Sequence, residues 1–137
     1  MNVIFTHRLE VRFRDCDPLG HVNNAVYLTY LEQTRFNHWR ASGLASGPDG
    51  NGIPSVILAR VEIDYRRQVR YGDRLEIRLG VAAIGRTSFT YEYEIVSEDG
   101  QVVAAARTVL VSFDYAAGRP TPVTDVLREA LTRQISS

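Results

Sequence analysis

The amino-acid sequence predicts an α+β fold in which a curled antiparallel sheet wraps around one long helix. The helix is predicted at residues 25–41, because Asn23 or Asn24 can cap its start and Gly43 suits a left-handed position after its end. Apolar side chains cover most of its circumference, so it is expected to be buried on most sides. The strand-rich remainder of the chain must then form the layer that encloses it.

The strands are predicted from apolar and polar residues that alternate with a period of two. One strand is expected before the helix and four after it, at residues 7–14, 57–66, 75–81, 89–95 and 101–115. The turns between the last four strands, at residues 71–73, 84–86 and 97–100, are short enough for antiparallel hairpins.

Length and composition indicate one domain, residues 1–137, with a loop at residues 42–54 and a C-terminal helix at residues 124–135. Lysine plus arginine equals aspartate plus glutamate, 16 each, which argues against nucleic acid as a partner. The single cysteine excludes an internal disulfide, and the N-terminus lacks the apolar run of a signal peptide or membrane span. We therefore expect a cytoplasmic protein with no membrane partner.

The densest polar cluster, residues 15–24, lies between the first strand and the start of the long helix. Unpaired N–H groups and the positive end of the helix dipole make that position a suitable site for an anion. A carboxylate beside it can attack a carbonyl, or activate water to do so, while the N–H groups hold the oxyanion. The alternative is that Asp17, Asn23 and Asn24 only cap the helix and shape a turn.

Residues 15–35, DCDPLGHVNNAVYLTYLEQTR, resemble the signature of hot-dog-fold thioesterases of the 4-hydroxybenzoyl-CoA thioesterase type. Residues 61–67 and 100–104 also fit the strands of bacterial acyl-CoA thioesterases. The resemblance implies a hot-dog fold, with a five-stranded antiparallel sheet around the helix. It also implies an acyl-CoA thioesterase without metal or cofactor, a homodimer or homotetramer whose active sites lie at the subunit interface.

The resemblance assigns roles to residues of the cluster. Asp17 is the catalytic carboxylate, as general base or nucleophile, and the backbone N–H near Asn24 polarises the thioester carbonyl. Some close relatives have a histidine where this chain has Asn24. Gly20, His21 and Asn23 belong to the substrate-binding loop, whose shape His21 is expected to support.

Two arginines are candidates for the phosphates of coenzyme A, since a guanidinium forms paired hydrogen bonds with phosphate oxygens. Seven arginines lie between residues 60 and 86, and their simplest interpretation is the solvated face of a sheet. Arg86 is our first choice because relatives often carry CoA-contacting basic residues in that hairpin. Arg60 is the second.

Other chemistry near Asp17 is less favoured. Asp15 is expected to hold the loop, and Cys16 lies between two aspartates that would raise its thiol pKa and suppress the thiolate. Asp15, Asp17 and His21 could form a metal site, but their spacing matches no standard motif.

Glu32 and Arg35 are spaced i, i+3 on the predicted helix. We interpret them as a buried or interfacial ion pair, and a substrate role for Glu32 stays open.

Two further functions of the protein also stay open. A hot-dog hydratase or dehydratase would use His21 for proton transfer, and a non-catalytic module would bind acyl-CoA without cleaving it.

Overall fold

The computed structural model describes residues 1–44 and 53–136, so residues 45–52 of the predicted loop lie outside the described residues. The order of strand, helix and then strands is confirmed. In chain order the elements are β1 (Val3–Glu10), a 3-10 turn (Phe13–Asp15), α1 (Asn24–Ala41), β2 (Val56–Tyr65), β3 (Arg74–Ile84), β4 (Ser88–Ser97), β5 (Val102–Asp114), β6 (Arg119–Pro120) and α2 (Asp125–Thr132).

The main sheet is antiparallel, with the strand order β1-β3-β4-β5-β2, and the short β6 pairs with β5. The predicted hairpins β3–β4 and β4–β5 are confirmed. The predicted hairpin between β2 and β3 is wrong, because β2 pairs with β5 and β3 pairs with β1. The link over residues 66–73 is longer than a tight hairpin turn, and it carries the chain from one end of the sheet toward the other.

The first strand begins and ends four residues earlier than the predicted 7–14. Asp15 is the reason for its early end. The Arg12 N–H donates to Asp15 Oδ2 at 2.9 Å, and the Asp15 N–H donates to the Arg12 carbonyl at 3.0 Å. These two bonds close a tight turn immediately before Cys16, so the chain leaves the sheet there.

The buried face of α1 carries polar side chains that bond to tyrosines of β4. The Trp39 Nε1–H donates to the Tyr91 hydroxyl at 2.9 Å, and that hydroxyl lies 3.1 Å from His38 Nδ1. A neutral His38 accepts the hydroxyl proton, which satisfies Tyr91 in a fully buried position. These bonds fix α1 against the sheet.

The expectation that α1 is buried on most sides is wrong for a single chain. One side of the helix packs on the sheet, whereas Leu28 is 44% exposed on another side and Glu32 is exposed beside it. Leu58 of β2 is 46% exposed. The reason is topological: β2 ends the sheet, so among the described residues no further strand covers this side of the helix.

Burial of His38 predicts a specific acid sensitivity. Burial lowers the pKa of His38 from 6.5 to about 4, so the unfolded chain takes up a proton that the folded chain excludes. Stability should therefore fall as the pH drops from about 6.5 to about 4, by at most about 1.4 kcal/mol per pH unit from this group.

Replacing His38 with glutamine keeps an acceptor for Tyr91 but removes the titration. Urea unfolding of both proteins at pH 7, 6 and 5 should show that the free energy of unfolding falls more steeply with decreasing pH in the wild type than in the variant. Parallel pH profiles would mean that His38 does not titrate differently on unfolding.

Candidate active site

Asp17 begins a tight turn that fixes one of its carboxylate oxygens. The Gly20 N–H donates to the Asp17 carbonyl at 3.0 Å, and the Leu19 N–H donates to Asp17 Oδ1 at 2.9 Å. Gly20 has a φ of +85°, a left-handed conformation that a side chain would strain. Within the described ranges Asp17 Oδ2 makes no hydrogen bond, so it is the oxygen available for reaction.

The start of α1 lies directly after this turn. Asn23 caps the helix, since its Oδ1 accepts the Ala25 N–H at 2.9 Å. This confirms the capping interpretation of Asn23, which does not conflict with catalysis nearby. Asn24 is the first helical residue, so its N–H has no acceptor inside the helix and can bind an oxyanion.

The opposite wall comes from the segment that follows β2. The Val22 N–H donates to the Val69 carbonyl at 2.8 Å, and the Tyr65 hydroxyl donates to the Asn24 carbonyl at 3.1 Å. The result is a cleft of about 410 Å³ whose lining residues are Asp17, Leu19, His21, Val22, Asn24, Tyr27, Tyr65, Arg66, Arg67, Gln68 and Val69.

The cleft brings together three of the predicted site residues, Asp17, His21 and Asn24. The other four have different positions. Gly20 makes the turn and Asn23 makes the cap. Arg60 is exposed on β2, where its Nη2 lies 2.7 Å from Glu62 Oε1, and Arg86 is exposed between β3 and β4. Neither arginine lines the cleft of its own chain.

The sequence prediction missed Tyr65 at the end of β2, and it preferred Arg86 and Arg60 to Arg66, one of the seven arginines that it considered. The fit of residues 61–67 to the family strand was the available signal, but it gave no indication that this strand faces Asp17. Arg67 is held by two bonds to Asp99, at 3.1 and 3.2 Å. Arg66 forms no ion pair with any described residue, so its guanidinium is free to bind a phosphate.

Asp15 is the second carboxylate of the motif, and its surroundings differ from those of Asp17. Its side chain is 2% exposed, receives two bonds from the Arg12 guanidinium at 2.8 and 3.1 Å, and accepts the Tyr30 hydroxyl at 2.7 Å. Burial alone would raise the pKa of Asp15, but the bonds from Arg12 and Tyr30 outweigh it and hold that pKa below its usual range. These bonds make Asp15 a structural carboxylate.

The predicted ion pair between Glu32 and Arg35 does not form within the chain. Arg35 turns under the helix, where its Nη1 donates to the Tyr93 hydroxyl at 3.3 Å, whereas Glu32 faces outward. The interfacial form of the prediction is the one that stays open.

Cys16 is half-buried, and its Sγ lies 3.9 Å from the Arg12 carbonyl. Across residues 1–44 and 53–136 no group of three or more His, Cys, Asp or Glu side chains is arranged to hold a metal ion. In the same ranges no helix has the length and apolar character that a membrane span needs.

Comparisons with known proteins give the family and the fold. Residues 11–131 match the family described as the thioesterase-like superfamily. A solved thioesterase from Thermus thermophilus, complexed with coenzyme A and Zn, is 35% identical, with a TM-score of 0.80 over 93% of this chain and 96% of that one. The hot-dog fold implied by the sequence is confirmed.

Two curated relatives carry names that state an activity. The 1,4-dihydroxy-2-naphthoyl-CoA hydrolase of Synechococcus elongatus is 33% identical over 123 residues, which is 88% of this chain and 90% of the relative. The long-chain acyl-CoA thioesterase FadM of Escherichia coli is 28% identical over 129 residues, 93% of this chain and 97% of the relative.

Proposed function

The chain belongs to the thioesterase-like superfamily, and from this membership we propose that it hydrolyses acyl-CoA thioesters to a free acid and coenzyme A. One observation carries the proposal. The free oxygen of Asp17 belongs to the same cleft as the first residue of α1, so a carboxylate and a helix N-terminus can act on one carbonyl.

In the proposed reaction the thioester carbonyl oxygen accepts the N–H of Asn24 at the start of α1. Asp17 either takes a proton from water as the water attacks the carbonyl carbon, or attacks that carbon itself to give a mixed anhydride. In both routes the C–S bond breaks and the coenzyme A thiolate leaves and takes a proton. In the second route water then hydrolyses the anhydride.

Solvent labelled with ¹⁸O can reveal the covalent route. In a single turnover, label in the Asp17 carboxyl would establish attack by Asp17. Label confined to the free acid fits general-base catalysis, or an anhydride that water attacks at its acyl carbon.

The coenzyme A phosphates are proposed to bind arginines at the rim of the site. Arg66 lines the cleft of its own chain, and Arg86, which lies outside that cleft, would reach a neighbouring subunit's cleft in an oligomer. Arg60 is a weaker candidate because Glu62 already pairs with it.

Replacing Arg86 with alanine should raise KM for acyl-CoA about tenfold and leave kcat unchanged. A lost charge-assisted hydrogen bond removes binding energy far from the carbonyl, equally in ground and transition states. The KM of a truncated pantetheine thioester, which lacks these phosphates, should not change. Arg119→Ala, another exposed arginine, is the control. Equal losses on both substrates would remove Arg86 from the coenzyme A site.

We also propose a homodimer or homotetramer in the cytoplasm. Within the described residues β2 has a single neighbouring strand, β5, and a ten-residue edge strand is a ready template for pairing. The exposed Leu28, Leu58 and Tyr65 lie along the same side of the molecule as this edge. A second copy would cover them and complete the cleft.

Release of free thiol tests the proposed activity. The panel should contain aromatic and long-chain acyl-CoA substrates, because the named relatives act on one or the other class. Thiol release on at least one substrate is the expected result. A change in the conjugated absorption of crotonyl-CoA without thiol release would indicate a hydratase. Saturable binding without turnover would indicate a binding module.

A further inference from the structure

The Arg35 guanidinium is buried, and no described residue gives it a counter-charge. The residue is 5% exposed, its Nη1 bonds to the neutral Tyr93 hydroxyl, and its buried Nε has no hydrogen-bond partner in the described part of the chain. None of the carboxylates in residues 1–44 and 53–136 forms an ion pair with it. Because a buried cation without a counter-charge is strongly unfavourable, an acceptor from outside these described residues would stabilise it.

Glu32 is the complementary group. It lies one helical turn before Arg35, is exposed, and forms no ion pair with any residue that the structure describes. Both side chains line one cleft of about 260 Å³ between α1 and β2, together with the apolar Leu28, Leu58 and Val61. An unpaired anion, a buried unpaired cation and an apolar rim therefore share one uncovered face.

A second copy of the chain fits this face better than any other occupant. In a two-fold dimer the same surface meets itself, so a contact from Glu32 to the partner's Arg35 is repeated in the opposite direction. The face is self-complementary in charge because it carries one group of each sign. The free edge of β2 borders it, so the sheets of the two subunits can join alongside.

We propose that Glu32 of each subunit pairs with the partner's Arg35 across the two-fold axis. The inference rests on the proposed function, because it specifies the dimer in which that function is carried out. The two reciprocal pairs cover the 260 Å³ cleft, give each Arg35 guanidinium a counter-charge and set the register of the interface. Tyr65 at the end of β2 connects this interface to the Asp17 cleft.

Two single charge reversals test the pairing. Glu32→Arg and Arg35→Glu should each raise the dimer dissociation constant at least about a hundredfold, since each homodimer places like charges together. Mixing the two variants should restore a heterodimer, because both interchain pairs then have opposite charges. If the pair formed within one chain instead, mixing would not restore the dimer, because each variant chain would still carry two like charges.

Native mass spectrometry with one variant tagged distinguishes homodimers from the heterodimer. Glu129→Arg, the same reversal at an exposed residue of α2, is the control and should leave the dimer intact. If Arg35→Glu does not fold alone, co-expression with Glu32→Arg should recover it in the heterodimer. Glu32 is exposed, so its variant will fold, and wild-type dimer affinity in Glu32→Arg would overturn the inference.

The activity is measured separately by thiol release. A monomeric wild type that still releases thiol would overturn the pairing and leave the hydrolase standing. A heterodimer that forms as expected in a protein without thiol release would support the pairing and contradict the proposed function. If Arg35→Glu changes KM for oxygen-bearing acyl groups but keeps the wild-type dimer affinity, Arg35 would be assigned to the substrate instead.

Discussion

Replacing Asp17 with asparagine is expected to lower kcat for acyl-CoA hydrolysis by about 10²–10⁴, the usual contribution of a positioned proton-transfer group, or by more if attack is covalent. The amide keeps the size of the carboxylate, and its oxygen can still accept the Leu19 N–H that now donates to Oδ1 at 2.9 Å. The turn therefore survives. What is lost is Oδ2, the oxygen without a hydrogen bond among the described residues.

The effect should fall on kcat and leave KM nearly unchanged, because the carboxylate acts in the transition state. Melting temperatures should stay close to that of the wild type, since Asp17 is only half-buried. A matching loss of melting temperature and activity would mean that the variant is damaged in its fold.

Replacing Asp15 with alanine is expected to cost about 3–5 kcal/mol of unfolding free energy, on the order of the loss of a buried, charge-assisted network. The change deletes the acceptor of the Arg12 guanidinium and N–H and leaves the buried Tyr30 hydroxyl without its 2.7 Å partner. Asp64→Ala, which removes an exposed carboxylate of β2, is the matched control and should cost less than about 0.5 kcal/mol.

The Asp15 effect should also depend on pH. The pKa of Asp15 is lower in the folded chain than its ordinary value of 3.8, so the carboxylate stabilises the fold above that value. The difference between wild type and Asp15→Ala should shrink as the pH falls below about 3.8 toward the folded pKa. Urea unfolding at pH 7 and pH 3 measures it, and an equal difference at both would show that the charge of Asp15 does not matter.

The elements themselves were predictable because local patterns determine them. The alternation of Phe89, Tyr91, Tyr93 and Ile95 gives β4 its buried face, and Asn23 is the cap that its residue type favours. The pairing of β2 was not predictable in this way. A turn at Gly72 indicates where the chain bends, but only long-range packing decides that β2 joins β5.

The same distinction between local and long-range contacts separates the residues of the candidate site that were predictable from those that were not. Asp17, His21 and Asn24 are neighbours in sequence, so one motif identified them together. Tyr65 and Arg66 lie at the cleft because the Val22–Val69 hydrogen bond joins their segment to the Asp17 loop, across more than forty residues of sequence. The i, i+3 spacing of Glu32 and Arg35 suggested a local pair. The spacing does not reveal that Arg35 bonds to Tyr93 of the sheet beneath the helix.

The most direct test of the proposed hydrolase compares kcat of Asp17→Asn and Asp15→Asn for thiol release on one good acyl-CoA substrate, with melting temperatures measured alongside. The two carboxylates are two residues apart, so the comparison isolates the free oxygen of Asp17 from the bonded carboxylate of Asp15. We expect Asp17→Asn to be nearly inactive and stable, and Asp15→Asn to keep most of its kcat while melting earlier. An inactive Asp15→Asn beside an Asp17→Asn of near wild-type activity would contradict the assignment of Asp17.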